Sequence, residues 1–261
     1  MARGVGDGVY DAMFTVDHVP LQLDDHLRRF YRSAKKIDID IPMPFEELRA
    51  MVLDFCRKID SPDAMAYVQA TRGVGMRGHA YRFAGGTPSL WVWVKPDMLD
   101  PMDRSYKAIT MEDTRYFHCD IKTINLLPAV IYTQRAEEAG CDETILHRGD
   151  RVTECAHSNV HILKDGALKT APCDNLILPG ITRAHRIAQC REMGIPVIEE
   201  PFTVREMMEA DEVFFTSASA LCCRIEEIDG QKVGGRAPEL IARIQKAAWD
   251  EALAEVRQIN G

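Results

Sequence analysis

Apolar residues recur at intervals of three and four in two segments near the start of the chain. Leu27, Phe30, Tyr31 and Ala34 fall on one side of a helix spanning residues 23–37, with Asp24 or Asp25 placed to cap its start. Phe45, Leu48, Met51, Val52 and Phe55 mark one face of a second helix over residues 44–59, where Pro44 suits the first turn. The pattern then changes to runs of β-branched and aromatic residues at 64–71, 90–94 and 106–110, which predict strands. Between the last two runs, Pro96 and Pro101 bracket a linker. Beyond it, residues 126–139 form a helix ended by Gly140, and residues 143–147 and 159–164 form strands. Asp165-Gly166 and Asp229-Gly230 are hairpin turns, because both pairs supply positive φ. Residues 182–193 make a helix capped by Thr182 and closed by Gly194. Thr203-Val204-Arg205-Glu206 is a capping box for another helix. A strand at 212–217 and a final amphipathic helix at 237–256, with Leu240, Ile241, Ile244, Ala248 and Leu253 on its apolar side, complete the pattern. The reading is a mixed α/β chain of two domains, a small one over residues 1–97 and a larger one over residues 98–261.

Composition narrows the classes. The chain has 261 residues, with Lys+Arg 32 against Asp+Glu 40 and a formal net charge of −8, and no basic block for nucleic acid. Hydrophobic residues make up 46%, enough to fill a core and too many for a disordered chain. No apolar run approaches the roughly 18 residues of a membrane span. The first eight residues, Met1-Ala2-Arg3-Gly4-Val5-Gly6-Asp7-Gly8, hold no apolar stretch of the kind a signal peptide needs. Eight scattered cysteines without a C-x-x-C pair read as reduced thiols of a cytoplasmic protein, packed as small hydrophobes.

Two motifs mislead. Gly73-Val74-Gly75-Met76-Arg77-Gly78 has dinucleotide-loop spacing, with Asp97 some distance on. That motif needs a helix directly after it. Here His79-Ala80-Tyr81-Arg82-Phe83 runs into Gly85-Gly86-Thr87-Pro88, so a glycine-rich turn between strands fits better. His157 and His161 could share a metal on a helix. In the strand that Asn159-Val160-His161-Ile162-Leu163 predicts, residues four apart are separated by about 13 Å, so no metal site is expected. No G-x-S-x-G elbow is present, which sets serine hydrolases aside.

Four other features carry chemistry. Lys122 lies among apolar neighbours in Cys119-Asp120-Ile121-Lys122-Thr123-Ile124-Asn125, just ahead of a helix. It is either a surface lysine or, in a cleft, a neutral amine able to form a Schiff base. Glu154, in Val152-Thr153-Glu154, is either a solvated carboxylate or a partner for a pyridine nitrogen. Leu178-Pro179-Gly180-Ile181-Thr182-Arg183 opens a helix, where free N–H groups hold phosphate or Thr182 simply caps. Thr216-Ser217-Ala218-Ser219 ends a strand with small hydroxyl residues that can donate to phosphate.

In this order, Asp120 to Asn125, Val152-Thr153-Glu154 with Ser158-Asn159-Val160, and Gly180 to Arg183 resemble the class IV aminotransferases, the fold-type-IV pyridoxal-phosphate enzymes. Gly6-Asp7-Gly8-Val9-Tyr10-Asp11 and Asp25-His26-Leu27-Arg28-Arg29-Phe30 extend the resemblance over nearly the whole chain. Thr71-Arg72-Gly73 followed by Arg77-Gly78-His79 is similar to the carboxylate-trapping segment of the D-amino acid aminotransferases in that family. The resemblance implies a two-domain fold-type-IV enzyme, a homodimer using pyridoxal 5′-phosphate. Lys122 would be the Schiff-base lysine and proton shuttle, and Glu154 the partner of the ring nitrogen. Arg29, Ile181, Thr182, Ser217 and Ala218 would surround the phosphate, Leu178 would pack on the ring, and Tyr10, Arg77 and His79 would hold the substrate carboxylate. The expected reaction is ping-pong transamination between a D-amino acid, such as D-alanine or D-glutamate, and a 2-oxo acid. Branched-chain or (R)-amine transamination, aminodeoxychorismate cleavage and non-catalytic cofactor binding are the alternatives on this fold. Two departures stand out: the small domain is shortened ahead of the Gly-Asp-Gly motif, and His157 replaces a small hydroxyl residue.

Overall fold

The computed structural model describes residues 6–76, 78–84 and 86–260. They divide into two compact units. Unit 1 holds the residues up to Met98, Ile121–Leu126 and the residues from Ala252 onward; unit 2 holds Leu99–Asp120 and Leu127–Glu251. Neither unit is therefore one continuous run of chain.

Unit 1 is a sheet in the order β2-β1-β3-β4, formed by β1 (Gly8–Val16), β2 (Val19–Pro20), β3 (Ala64–Thr71) and β4 (Ser89–Pro96). Helices α1 (Leu23–Lys36) and α2 (Phe45–Lys58) supply its core with Leu27, Phe30, Leu48 and Val52, against Val9, Met13 and Val68 of the sheet. The predicted strand pattern missed β1. Its inward face, Val9, Asp11, Met13 and Thr15, is half polar, while its outward face carries Tyr10, Ala12 and Phe14, so no alternation marks it. Neither aspartate caps α1. Gln22 occupies the cap at φ 47, and its N–H donates to both carboxylate oxygens of Glu255, at 2.9 and 3.0 Å. Asp24 instead accepts from Arg49. On α2 the buried stripe is Leu48, Val52 and Cys56; Phe55 lies on its flank and is exposed, and Pro44 is the cap rather than a first-turn residue.

Unit 2 is built on a mixed sheet of nine strands. Its order is β10 (Val197–Glu199), β9 (Ala167–Thr170), β8 (Asn159–Lys164), β11 (Glu212–Thr216), β12 (Cys223–Ile228), β5 (Tyr106–Glu112), β6 (Glu143–Arg148) and β7 (Arg151–Cys155), with β13 (Gln231–Lys232) beside β12. The pairs β5/β6, β5/β12 and β9/β10 are parallel and the others antiparallel. A tight turn joins β7 to β8, closed by Cys155 N–H donating to Ser158 O at 2.8 Å. Helices α3 (Leu127–Glu138), α4 (Ile181–Glu192), α5 (Val204–Met208) and the start of α6 (Pro238–Asn260) belong with this sheet. The two hairpin turns take positive φ at Asp165, Gly166, Asp229 and Gly230, and Gly140 and Gly194 take it after their helices. Thr182 is not the cap of α4. Gly180 is, without any side-chain bond, and Thr182 sits in the first turn. No cysteine is disulfide-bonded; Cys173 is exposed and Cys141 half-buried, whereas the other six are buried as expected of small hydrophobes.

Candidate active site

In unit 1 the segment Ile121–Leu126 lies against the start of β1. Tyr10 N–H donates to Lys122 O at 3.0 Å and Ile124 N–H to Gly8 O at 3.1 Å, so the Lys122 backbone is tied to the strand that carries Tyr10. The Lys122 amine donates to Tyr10 Oη at 3.3 Å and sits over that ring, 4.4 Å from its centre. No carboxylate pairs with Lys122 among the described residues. Tyr10 stacks on Tyr67 and Tyr67 on Trp93, an aromatic row across three strands. On the opposite, inward face of β1, buried Asp11 accepts from Arg29 Nε at 2.9 Å and Arg29 Nη2 at 2.8 Å. His26 Nδ1 meets the same carboxylate at 2.8 Å. Burial pushes the Asp11 carboxyl up, but Arg29 and His26 outweigh it and hold it well below the usual carboxylate range. Burial also lowers His26 below its ordinary value, against the pull of Asp11, and because the carboxylate only accepts, Nδ1 is the donor between them. His79 is exposed in the connection from β3 to β4, and Arg77 lies outside the described residues.

In unit 2, Glu154 stands on β7 with 4% exposure. Its Oε1 accepts from Arg115 Nη1 at 2.5 Å. Its Oε2 accepts from Asn159 Nδ2 at 2.9 Å and Leu178 N–H at 3.0 Å. Burial pushes this carboxyl up to about 7, opposed by Arg115 and the Leu178 N–H. Arg115 is fixed in turn by both oxygens of Asp113, at 2.9 and 3.0 Å, and by Leu176 O. Burial raises Asp113 too, but the bonds from Arg115 outweigh it and keep the carboxyl low. Sequence reasoning missed Arg115 and Asp113. Their only signal is an acid and a base two residues apart after a strand, a pattern too common to single out.

Asn159 Nδ2 also donates to Leu178 O at 3.0 Å, which brings the Leu178–Gly180 turn beside Glu154. A Cβ at Gly180 would fall 2.0 Å from Asn159 Oδ1, so only glycine fits there. The first-turn N–H groups of Ile181 and Thr182 have no intrahelical acceptor, and Thr182 Oγ1 donates to Ser217 O at 2.7 Å. Ser217 and Ala218 thus lie beside the start of α4. His161 is buried, meets Thr216 Oγ1 through Nε2 at 2.9 Å and stacks on Phe214. His157 sits on the β7–β8 turn, 3.5 Å from Glu143. No group of three metal-ligating side chains gathers among the described residues, and no helix there is long and apolar enough to cross a membrane.

The donor set fits a flat, protonated heteroaromatic ring bearing a phosphate. A buried carboxylate has room for one more donor at Oε1, and a glycine-capped helix start offers N–H groups beside a turn of small residues. Residues 8–228 match the family described as amino-transferase class IV. D-alanine aminotransferase of Bacillus licheniformis is 37% identical over 253 residues, covering 96% of this chain and 89% of that protein. D-alanine aminotransferase of Listeria monocytogenes serotype 1/2a (strain 10403S) is 40% identical over 241 residues, 89% of this chain and 83% of the relative. Among solved structures, the branched-chain amino acid aminotransferase of Escherichia coli superposes with a TM-score of 0.85 at 25% identity, covering 95% of this chain and 85% of that one. A putative 4-amino-4-deoxychorismate lyase from Legionella pneumophila shares the fold at a TM-score of 0.83 and 22% identity, over 93% and 91% of the two chains.

Proposed function

The chain belongs to the class IV aminotransferases, and from that premise we propose that it moves an amino group from a D-amino acid to a 2-oxo acid. The D-alanine aminotransferases similar to it support the choice of donor. Pyridoxal 5′-phosphate, the cofactor of this family, supplies an aldehyde carbon that takes up amines and a ring that accepts the electron pair freed at the donor's Cα.

Lys122 Nζ would hold the cofactor. As general base it would take a proton from the donor's Cα, and as general acid it would return one. Tyr10 Oη, 3.3 Å away, orients the amine for both transfers. Glu154 Oε1 would accept from the protonated ring nitrogen and keep it protonated. Asn159 and the Leu178 N–H occupy its other oxygen and keep it aimed. Leu178, held beside Glu154, would pack on the ring. Arg29, anchored by Asp11, and the first turn of α4 at Ile181 and Thr182, with the backbone turn at Ser217 and Ala218, would hold the phosphate. Tyr10, Arg77 and His79 take the substrate carboxylate. Release of the first oxo acid before the second binds makes the kinetics ping-pong. We further assign the enzyme to the cytoplasm as a homodimer. Leu127, Val130 and Ile131 on α3 are exposed together and supply an apolar face for a second copy.

The observation that carries the reading is Glu154: a buried carboxylate with one oxygen filled by neutral donors and capacity left on the other. The test joins two measurements. Borohydride reduction of the purified protein is expected to fix the cofactor on the peptide containing Lys122. A panel of D- and L-amino donors is expected to release oxo acid from the D series. Label on another lysine, or turnover confined to L donors, overturns the reading.

A further inference from the structure

The turn after β11 is held by a directed row of hydroxyl groups that ends on a carboxylate. Ser219 Oγ lies 2.6 Å from Asp100 Oδ2, and Asp100 N–H donates to Ser219 O at 2.9 Å, so Asp100 grips this residue by side chain and backbone. A carboxylate only accepts, so the Ser219 hydroxyl must donate to it. Ser219 Oγ is 3.1 Å from Ser217 Oγ and, its own proton committed, accepts the Ser217 hydroxyl. Ser217 Oγ accepts in turn from Ser219 N–H at 3.2 Å and Ala220 N–H at 3.1 Å. Thr182 Oγ1 donates to the acceptor-only carbonyl of Ser217. The protons of all three hydroxyls are therefore spent within the protein. The donors left over at this place are the backbone N–H groups of Ile181, Thr182 and Ala218.

We infer that Asp100 is a positioning residue for the cofactor phosphate: it polarises the Ser219–Ser217 row and sets the Ser217–Ala220 turn, so that backbone N–H groups, not serine hydroxyls, bind the phosphate. The inference rests on the assignment of that turn to the phosphate. Asp100 touches neither cofactor nor substrate on this account. Its effect passes through Ser219, which makes the two residues one energetic element.

The test compares pyridoxal phosphate with pyridoxal, which lacks the phosphate, as ligands of the cofactor-stripped enzyme followed by absorbance. Asp100→Ala and Ser219→Ala are each expected to weaken pyridoxal phosphate about tenfold and to leave pyridoxal unchanged. The double variant is expected to lose no more than either alone. Asp100→Asn, whose Oδ1 still accepts from Ser219 without the charge, is expected to show a smaller loss, again confined to pyridoxal phosphate. Equal losses for both ligands, additive losses in the double variant, or an unchanged ratio in all variants overturns the role of Asp100. If the unsubstituted enzyme itself binds both ligands equally, the phosphate assignment of the turn falls, and this inference with it.

Discussion

Glu154 is costly to ionise even with Arg115 beside it. Burial raises its carboxyl from 4.5 to about 7. In the cofactor-stripped protein the folded state therefore keeps a proton that the unfolded chain gives up above pH 4.5. Its contribution to stability is full below that pH and declines as pH rises towards 7, by on the order of 3 kcal/mol. Glu154→Gln cannot ionise, so denaturant midpoints measured across this range should fall less steeply with rising pH than those of the parent protein. The same variant should still bind cofactor while turnover falls by orders of magnitude, because a neutral amide no longer stabilises the protonated ring. A midpoint curve unchanged by the substitution would place the titration elsewhere. Glu154 and Lys122 were picked out from the sequence by residue type within ordered motifs. Arg115, which meets Glu154 at 2.5 Å, was not, because a guanidinium 39 residues away has no local signature.

The elements show a similar divide between local and distant causes. The capping box at Thr203 was readable because both of its bonds lie within four residues: Glu206 N–H donates to Thr203 Oγ1 at 3.1 Å, and Thr203 N–H to Glu206 Oε2 at 2.9 Å. Thr203→Ala removes one of them and should cost about 1 kcal/mol in thermal or denaturant unfolding. Turnover should not change, since α5 carries no assigned site residue. Gly180→Ala should do the reverse. Its Cβ collides with Asn159 Oδ1, and Asn159 bridges Glu154 and Leu178. Weakened cofactor binding, read as a higher dissociation constant in titration, is the expected result. The caps of α1 and α4 were misread for one reason. Gln22 is satisfied by Glu255, and Thr182 is drawn to Ser217, partners that lie far along the chain. Strand β1 escaped notice because Asp11 is buried with Arg29 and His26, which breaks the apolar alternation.

At the scale of the molecule, α3 presents Leu127, Val130 and Ile131 to solvent, at 70%, 61% and 47% exposure, more apolar surface than one short helix normally leaves open. If a second copy covers that face, charged replacements at Val130 and Ile131 should shift sedimentation from dimer to monomer; an unchanged profile would move the interface elsewhere. The mixed α/β class and many of the individual strands followed from periodicity and turn residues. The return of 121–126 and of the last residues to unit 1 did not, because no composition shift marks either segment. That return has a consequence for how the chain is made. The first helix is closed by Glu255, 233 residues further on, and the β1 edge is completed by residues around Thr123. On the ribosome the start of α1 must wait, unfinished, until Glu255 has been made, and contacts between residues so far apart in sequence form slowly. The portion between is free to mature first. The start of α1 is thus made long before it can reach its native state, and a nascent chain arrested short of Glu255 would leave α1 open at its start.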